Sequence, residues 1–501
     1  MSNPIAVTIL AVSLGLVSGW TSPYLAKFTN EETNIHITDN EASWVASFLP
    51  MGRLLGAIFG SLTTEYFGSK ISLVLTGLPL MIGWICMICA TSAIWFYVFR
   101  IFTGMSMGMF FTCFPIFIGE ISTARIRGAL IGLVINGLPI GTLIGNIMGP
   151  QMSSKWFGVI SLLLTSIFLL TFPCLPKSPY YLIRCNSMEN AVKSIHFYHR
   201  KSNVIEEMNE IEIFINDTNA KTFRERLKLM AEPKNRRAFV IIVTLFFFMQ
   251  FSGLNSIIFY MEIIIRQAKV TFISPSTVVI IVNSIGIIYS WLAIYAIDHC
   301  GRKLLLIISS VSVFISMMIL GIHFLLLTYD YDSEILQPIP VVSMIMFMMI
   351  CFGLISVPNT LLSELFPITL KSIAGFIGSF TSGLFAFISS KTFQPLIDLV
   401  MIQNVFFIYG SSMLLCIIYS IFCIPETMGK TFKVCIKFYN NFEFYFTFLF
   451  LYLSIYLSIY LSICLSISCP PLNHSFLRKQ EIQVLLEENG HTRSRNQTEE
   501  H

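Results

Sequence analysis

Charge is scarce in this chain, and long polar stretches are scarcer. Only 12% of its 501 residues are Asp, Glu, Lys or Arg, 55% are hydrophobic, and the mean hydropathy is +0.73. That balance excludes a water-soluble globular domain and makes the bilayer the main solvent. Basic residues are missing ahead of the first apolar run, and no small-residue cleavage site follows it. That run is therefore read as a retained span and not a cleaved signal peptide. No basic patch accompanies the net charge of +4, so nothing points to nucleic acid. No nucleophile–base set and no metal-ligand spacing occurs outside the apolar runs, which argues against an enzyme, a metal or a cofactor. The 12 cysteines lie mostly within apolar runs, as do Cys86, Cys89, Cys351 and Cys416, where Cys behaves as a small hydrophobe. No disulfide framework is read from them.

What is present is a succession of apolar runs. A hydrocarbon core roughly 30 Å thick takes about 20 helical residues per crossing. The runs fall at 4–23, 42–63, 71–91, 94–118, 129–150 and 156–174. After a polar stretch come 238–261, 275–297, 304–327, 339–362, 373–396 and 402–424. The fold class this predicts is an all-α membrane protein of twelve transmembrane helices in two six-helix halves, 1–175 and 238–432. Between them, 176–237 mixes acids and bases at helical spacing and reads as a linker of short amphipathic helices.

Lys70, Arg125, Arg127, Lys177, Arg184, Arg224, Arg226, Arg236, Arg237, Arg302, Lys303, Lys371 and Lys430 fall on one side of such a topology, which predicts that side to be cytoplasmic. Both ends of the twelve-helix unit and the linker then face the cytoplasm. The sequon at Asn216 would stay unmodified. The tail, 433–501, differs in kind: residues 451–468 repeat Tyr-Leu-Ser-Ile, a four-residue period that fits neither helix nor strand. It reads as a translated tandem repeat interrupting the junction from Lys430-Thr431 to Glu481, or as a thirteenth hydrophobic segment.

The two halves carry the same punctuation, as repeat-built transporters do. Glu65-Tyr-Phe-Gly-Ser-Lys70 follows the second run, and Asp298-His-Cys-Gly-Arg-Lys303 follows the eighth. Glu120 and Arg127 follow the fourth, and Glu364 and Lys371, each offset by 244 residues from its counterpart, follow the tenth. Pro176-Lys-Ser-Pro179 follows the sixth, and Pro425-Glu-Thr427 the twelfth. Acids and bases at such helix ends can pair and complement helix dipoles. Glu65, Lys70, Glu120 and Arg127 are expected to form one ion network, and Asp298, Arg302, Glu364 and Lys371 another, both breaking when that face opens. Ordinary positive-inside loop charge is the alternative.

At these residues the chain resembles the sugar-porter branch of the major facilitator superfamily, and within it the insect-type facilitated trehalose or glucose transporters. The resemblance covers about residues 5–432. It rests on Gly19-Trp-Thr-Ser-Pro23, on Arg100 with Gly104 and Gly108, and on Pro115-Ile-Phe-Ile-Gly-Glu120. It rests also on Gln250-Phe-Ser-Gly-Leu-Asn255 running to Tyr260, and on Pro425-Glu-Thr-Met-Gly-Lys-Thr431. It implies alternating access of a sugar, hexose or trehalose, across the plasma membrane. Amides pair well with sugar hydroxyls, and polar groups inside a bilayer tend to face a cavity. Gln250 and Asn255 are accordingly the leading binding candidates, with interhelical hydrogen bonding as their alternative role. Asn136, Asn359 and Ser382 fall at or beside other family contact positions. The chain departs from the family at Met249, Ile135, Asn359 and Ser382, where Gln, Gln, Trp and Asn are usual.

Proton-coupled members carry an acid in the first helix at the position that looks like Val17, and no Asp or Glu occurs between Met1 and Lys27. That predicts uniport. Arg53 is an isolated cation in the second run, lining the cavity or snorkelling to an interface. Two other functions are carried alongside: a non-transporting sugar sensor, and a transporter of another polyol or small metabolite.

Overall fold

The computed structural model describes residues 2–29, 37–122, 127–198, 208, 211–212, 225, 228–229, 232–329, 331, 333–366, 370–424 and 426. All belong to the first of two units, Met1–Asn440 and Asn441–His501. The tail and the sequon therefore lie outside the described residues, as does most of the linker between Tyr198 and Glu232. Among the described residues the secondary structure is helical throughout.

Twelve helices are long and apolar enough to cross a membrane. They are Ile5–Thr29, Asp39–Phe67, Ser69–Ile88, Ala93–Ile121, Leu130–Gln151 and Ser154–Cys174, then Asn235–Gln267, Pro275–Ile297, Arg302–Thr328, Glu334–Leu362, Ile373–Val400 and Ile402–Cys423. The chain is a multi-pass membrane protein, six spans to a half. The expected runs match in number and order, and the first helix runs on past its expected end at residue 23 to Thr29. Pro23 does not end that helix, because its ring lies against Gly149 and Lys27 caps the neighbouring fifth span. The Lys27 ammonium donates to the carbonyls of Gly149 at 2.8 Å and Pro150 at 3.0 Å. The second span opens on a capping box: the Glu41 N–H donates to Thr38 Oγ1 at 3.3 Å, and the Thr38 N–H donates to the Glu41 carboxylate at 2.9 Å.

The first half is held together by small residues. Gly15 and Gly19 of the first span meet Gly141 and Gly145 of the fifth, and Gly52 and Gly56 of the second meet Gly104 and Gly108 of the fourth, backbone against backbone. Lipid tails supply no hydrophobic drive between helices, so close van der Waals approach takes its place. In the second half several glycines face bulkier side chains: Gly286 meets Met348, Gly321 meets Phe407 and Gly378 meets Leu362.

Two spans expected as continuous helices are broken. The seventh is divided at Ser252-Gly253 into helices Pro233–Phe251 and Leu254–Gln267. Gly253 takes φ +85° and lies flat against the Tyr409 ring, a site without room for a Cβ. The tenth unwinds between Pro338–Phe347 and Ser356–Glu364, passing through a 3₁₀ turn at Met348–Cys351. Gly353 there sits on the Leu305 carbonyl, and Pro358 just beyond cannot donate to the preceding turn.

The duplication is visible in the backbone. Gly68 and Gly301, each between two spans at equivalent places, take φ +82° and +85° and begin the third and ninth helices. Against Gly68 lies Tyr181 of the short helix Pro179–Arg184, and against Gly301 lies the Glu426 carboxylate. The short helices Pro179–Arg184 and Met188–Tyr198 bury Leu182, Ile183, Ala191 and Ile195 with Ile211.

Candidate functional site

The seventh, eleventh and twelfth spans converge at the break in the seventh. Gln250 is the last buried polar residue before the break, 1% exposed, and Asn255 stands in the first turn of the helix after it. The Gln250 amide N–H donates to Ser382 Oγ at 3.1 Å, and its amide oxygen accepts from Asn255 at 2.7 Å. Three of the five candidate binding residues thus form one chain of hydrogen bonds across two spans. Asn136 and Asn359 stand apart from it. Each donates to its own helix, Asn136 to Gly132 and Asn359 to Ile355, both at 2.8 Å. Asn136 is buried with its amide oxygen unmatched, whereas Asn359 is exposed.

The structure adds groups that the sequence patterns did not single out and sets Tyr260 of the seventh-span motif near them. Ser389 donates to the Gln250 carbonyl at 3.0 Å, and Ser256 shares a 3.0 Å hydrogen bond with the Tyr409 hydroxyl. Tyr260 packs on Phe393 with ring centroids 5.1 Å apart, and its buried hydroxyl has no partner among the described residues. Ser389 carried no signal in sequence, because a serine in an apolar helix usually bonds its own backbone.

Arg100 is fully buried in the first half. Its guanidinium donates to the Val17 carbonyl at 3.1 Å and to Thr21 Oγ1 at 2.7 Å, and it stacks 4.5 Å from the Trp20 ring. Both acceptors are neutral groups of the first span.

Hydrogen bonds cross between the halves toward the end away from Gly68 and Gly301. The Glu262 N–H donates to Ser22 Oγ at 3.0 Å, and Lys391 reaches Ser43 Oγ at 3.4 Å while its ammonium sits 3.8 Å over the Trp44 ring. Glu262 is itself paired with Arg266 at 2.9 Å.

The two expected ion networks differ in form. In the second half Arg302 pairs with Glu364 at 2.7 Å, and the N–H groups of Arg302 and Lys303 donate to the Glu426 carboxylate at 3.0 and 3.1 Å. That is a helix N-terminus holding an anion, and Glu426 was not among the expected members. In the first half Lys70 donates to the carbonyls of Pro173 and Leu175, capping the end of the sixth span, and Glu120 accepts from Ser69 at 2.5 Å. Lys70 and Glu120 therefore do not pair with each other, because free carbonyls and a hydroxyl lie nearer. Glu65 offers its backbone carbonyl to Arg184 at 2.9 Å. Arg127, Asp298 and Lys371 begin or end helices, and their side chains lie outside the described residues.

This architecture matches solved transporters. The proton:xylose symporter XylE of the major facilitator superfamily, bound to 6-bromo-6-deoxy-D-glucose, superposes with a TM-score of 0.70. The match spans 87% of this chain and 98% of that one at 20% identity. Inward-open XylE from E. coli matches at 0.69 over 87% of this chain and 98% of that one, with 21% identity. At that identity the likeness is one of fold, and the fold is that of the major facilitator superfamily. The sequence profile described as "Sugar (and other) transporter" matches residues 7–437, and the chain belongs to that family. The facilitated trehalose transporter Tret1 of Aedes aegypti is 28% identical over 433 residues, 86% of this chain and 54% of the relative. Tret1 of Culex quinquefasciatus is 27% identical over 433 residues, 86% of this chain and 83% of the relative. The chain thus spans about half the length of the Aedes protein.

Proposed function

We propose that this chain is a facilitative carrier of a sugar, hexose or trehalose, working by alternating access in the plasma membrane with both ends of its twelve-helix unit in the cytoplasm. The positive-inside count supports the orientation. The relatives named facilitated trehalose transporters support the substrate class. The observation that carries the uniport reading is the setting of Arg100: the buried cation rests on a carbonyl and a hydroxyl of the first span, and Val17 stands where a titrating acid would be needed.

On this reading the sugar hydroxyls exchange with the Gln250–Asn255–Ser382 chain, and the Tyr260 hydroxyl and Asn136 amide oxygen complete the set of donors and acceptors. Ser22–Glu262 and Lys391–Ser43 hold the extracellular end shut. The Arg302–Glu364–Glu426 cluster, and Lys70 and Glu120 in the first half, tie loops at the cytoplasmic end. The halves 1–175 and 238–432 rock about the central site. The departures at Met249 and Asn359 favour one other reading, a sugar sensor that binds without transport. Counterflow of radiolabelled sugar in proteoliposomes separates the two: saturable, stereoselective exchange establishes the carrier, and binding without exchange establishes the sensor.

A further inference from the structure

Arg53 sits midway along the second span, the one cation between Asp39 and Phe67. The residues of this span that face outward are Met51, Leu55, Ile58, Phe59 and Leu62. At about 100° per residue, Arg53 points about 160–200° away from Met51 and Leu55, toward the protein interior. Its guanidinium lies 4.5 Å from the centroid of the Phe111 ring. Nε is buried without an acceptor. Among the described residues no carboxylate, carbonyl or hydroxyl accepts from the two terminal nitrogens, so the fork is open. The next residue, Leu54, packs against Gly383 across the seam between the halves, 3.3 Å from where a Cβ would be. Gly383 adjoins Ser382, which accepts from Gln250. The backbone that carries Arg53 and the amide chain therefore lie beside each other across the seam, on facing halves.

An uncompensated cation inside a bilayer is costly, and the planar fork of arginine matches a carboxylate bidentately. A neutral sugar leaves that fork unused. A sugar acid presents hydroxyls to the amides and a carboxylate to the cation. We propose that Arg53 is the carboxylate-binding group of the central site and that the chain carries polyhydroxy monocarboxylates such as hexuronates alongside neutral sugars. The proposal rests on the carrier reading above.

The test uses the full chain in proteoliposomes at zero membrane potential, with radiolabelled glucuronate and radiolabelled glucose as probes. Glucuronate uptake should be saturable and competed by unlabelled galacturonate. Arg53→Gln should lower the ratio of glucuronate to glucose uptake roughly tenfold or more, as loss of a charge-assisted pair implies, and Arg53→Lys should lower it less. Glucose uptake with neither uptake of nor competition by glucuronate overturns the proposal and leaves the carrier reading standing. Uptake of neither probe overturns both. An unchanged ratio in Arg53→Gln removes the carboxylate from Arg53. Where that variant fails to fold, galacturonate competition in the unmodified chain and the Arg53→Lys ratio decide.

Discussion

Arg100 donates to the carbonyl oxygen of Val17 at 3.1 Å, a backbone contact that a residue of any type at position 17 could make. The two terminal nitrogens thus rest on neutral groups of the first span, while Nε has no partner among the described residues, and on the uniport reading no proton is bound or released there as the halves move. Uptake of neutral sugar should therefore be the same with and without an imposed pH gradient, and internal sugar should level at the external concentration. Accumulation above that level driven by protons would overturn uniport.

Gln250 joins Asn255 to Ser382, so its removal strands two partners. Each lost hydrogen bond to a sugar hydroxyl is worth about 1 kcal/mol or more. Gln250→Ala should raise KM for the sugar roughly tenfold at equal amounts of reconstituted protein. Unaltered transport kinetics would take Gln250 out of the site.

Gly253 breaks the seventh span at φ +85°, with the Tyr409 ring 2.6 Å from where a Cβ would stand. An alanine there meets both backbone strain and the ring, a loss of about 1–3 kcal/mol. Gly253→Ala should melt at a lower temperature in detergent, and Tyr409→Ala should restore part of the loss if the ring is the obstacle. An unchanged melt would mean the break tolerates a side chain.

Lys391 spans the seam onto Trp44 and Ser43. A cation–π contact contributes about 0.5–2 kcal/mol, enough to change a two-state population severalfold. Lys391→Met should favour separation of the halves at this end, seen as a longer distance between spin labels on the second and eleventh spans. A distance distribution identical to that of the unmodified chain would deny Lys391 a gating role.

Arg302 carries both the Glu364 pair and, through its N–H, the Glu426 carboxylate. Glu364→Gln leaves the second contact and weakens the first, so a cysteine placed in the loop between the eighth and ninth spans should react faster with an aqueous maleimide. Equal labelling rates would make the pair ordinary loop charge.

Span number, the order of the spans and the duplication were legible because bilayer solvation acts on every residue of a helix at once, and about 20 apolar residues in a row leave little choice of structure. The punctuation at Gly68 and Gly301 was equally plain, since a positive φ in a tight loop admits little but glycine. Gln250, Asn255 and Ser382 could be named individually from the family's motifs. Their connection could not, because it depends on where the eleventh span lies against the break in the seventh.

The sequence by itself determined that the chain is a membrane protein of two related halves, and it placed the first-span position that lacks an acid. Tertiary structure alone decided the partners of each polar group. Lys70 took carbonyls in place of Glu120, Glu426 joined Arg302, Lys391 crossed the seam and Arg53 kept an open fork. A charged side chain in low dielectric takes the nearest good acceptor, and nearness between spans is set by packing, which hydropathy and spacing along the chain do not encode.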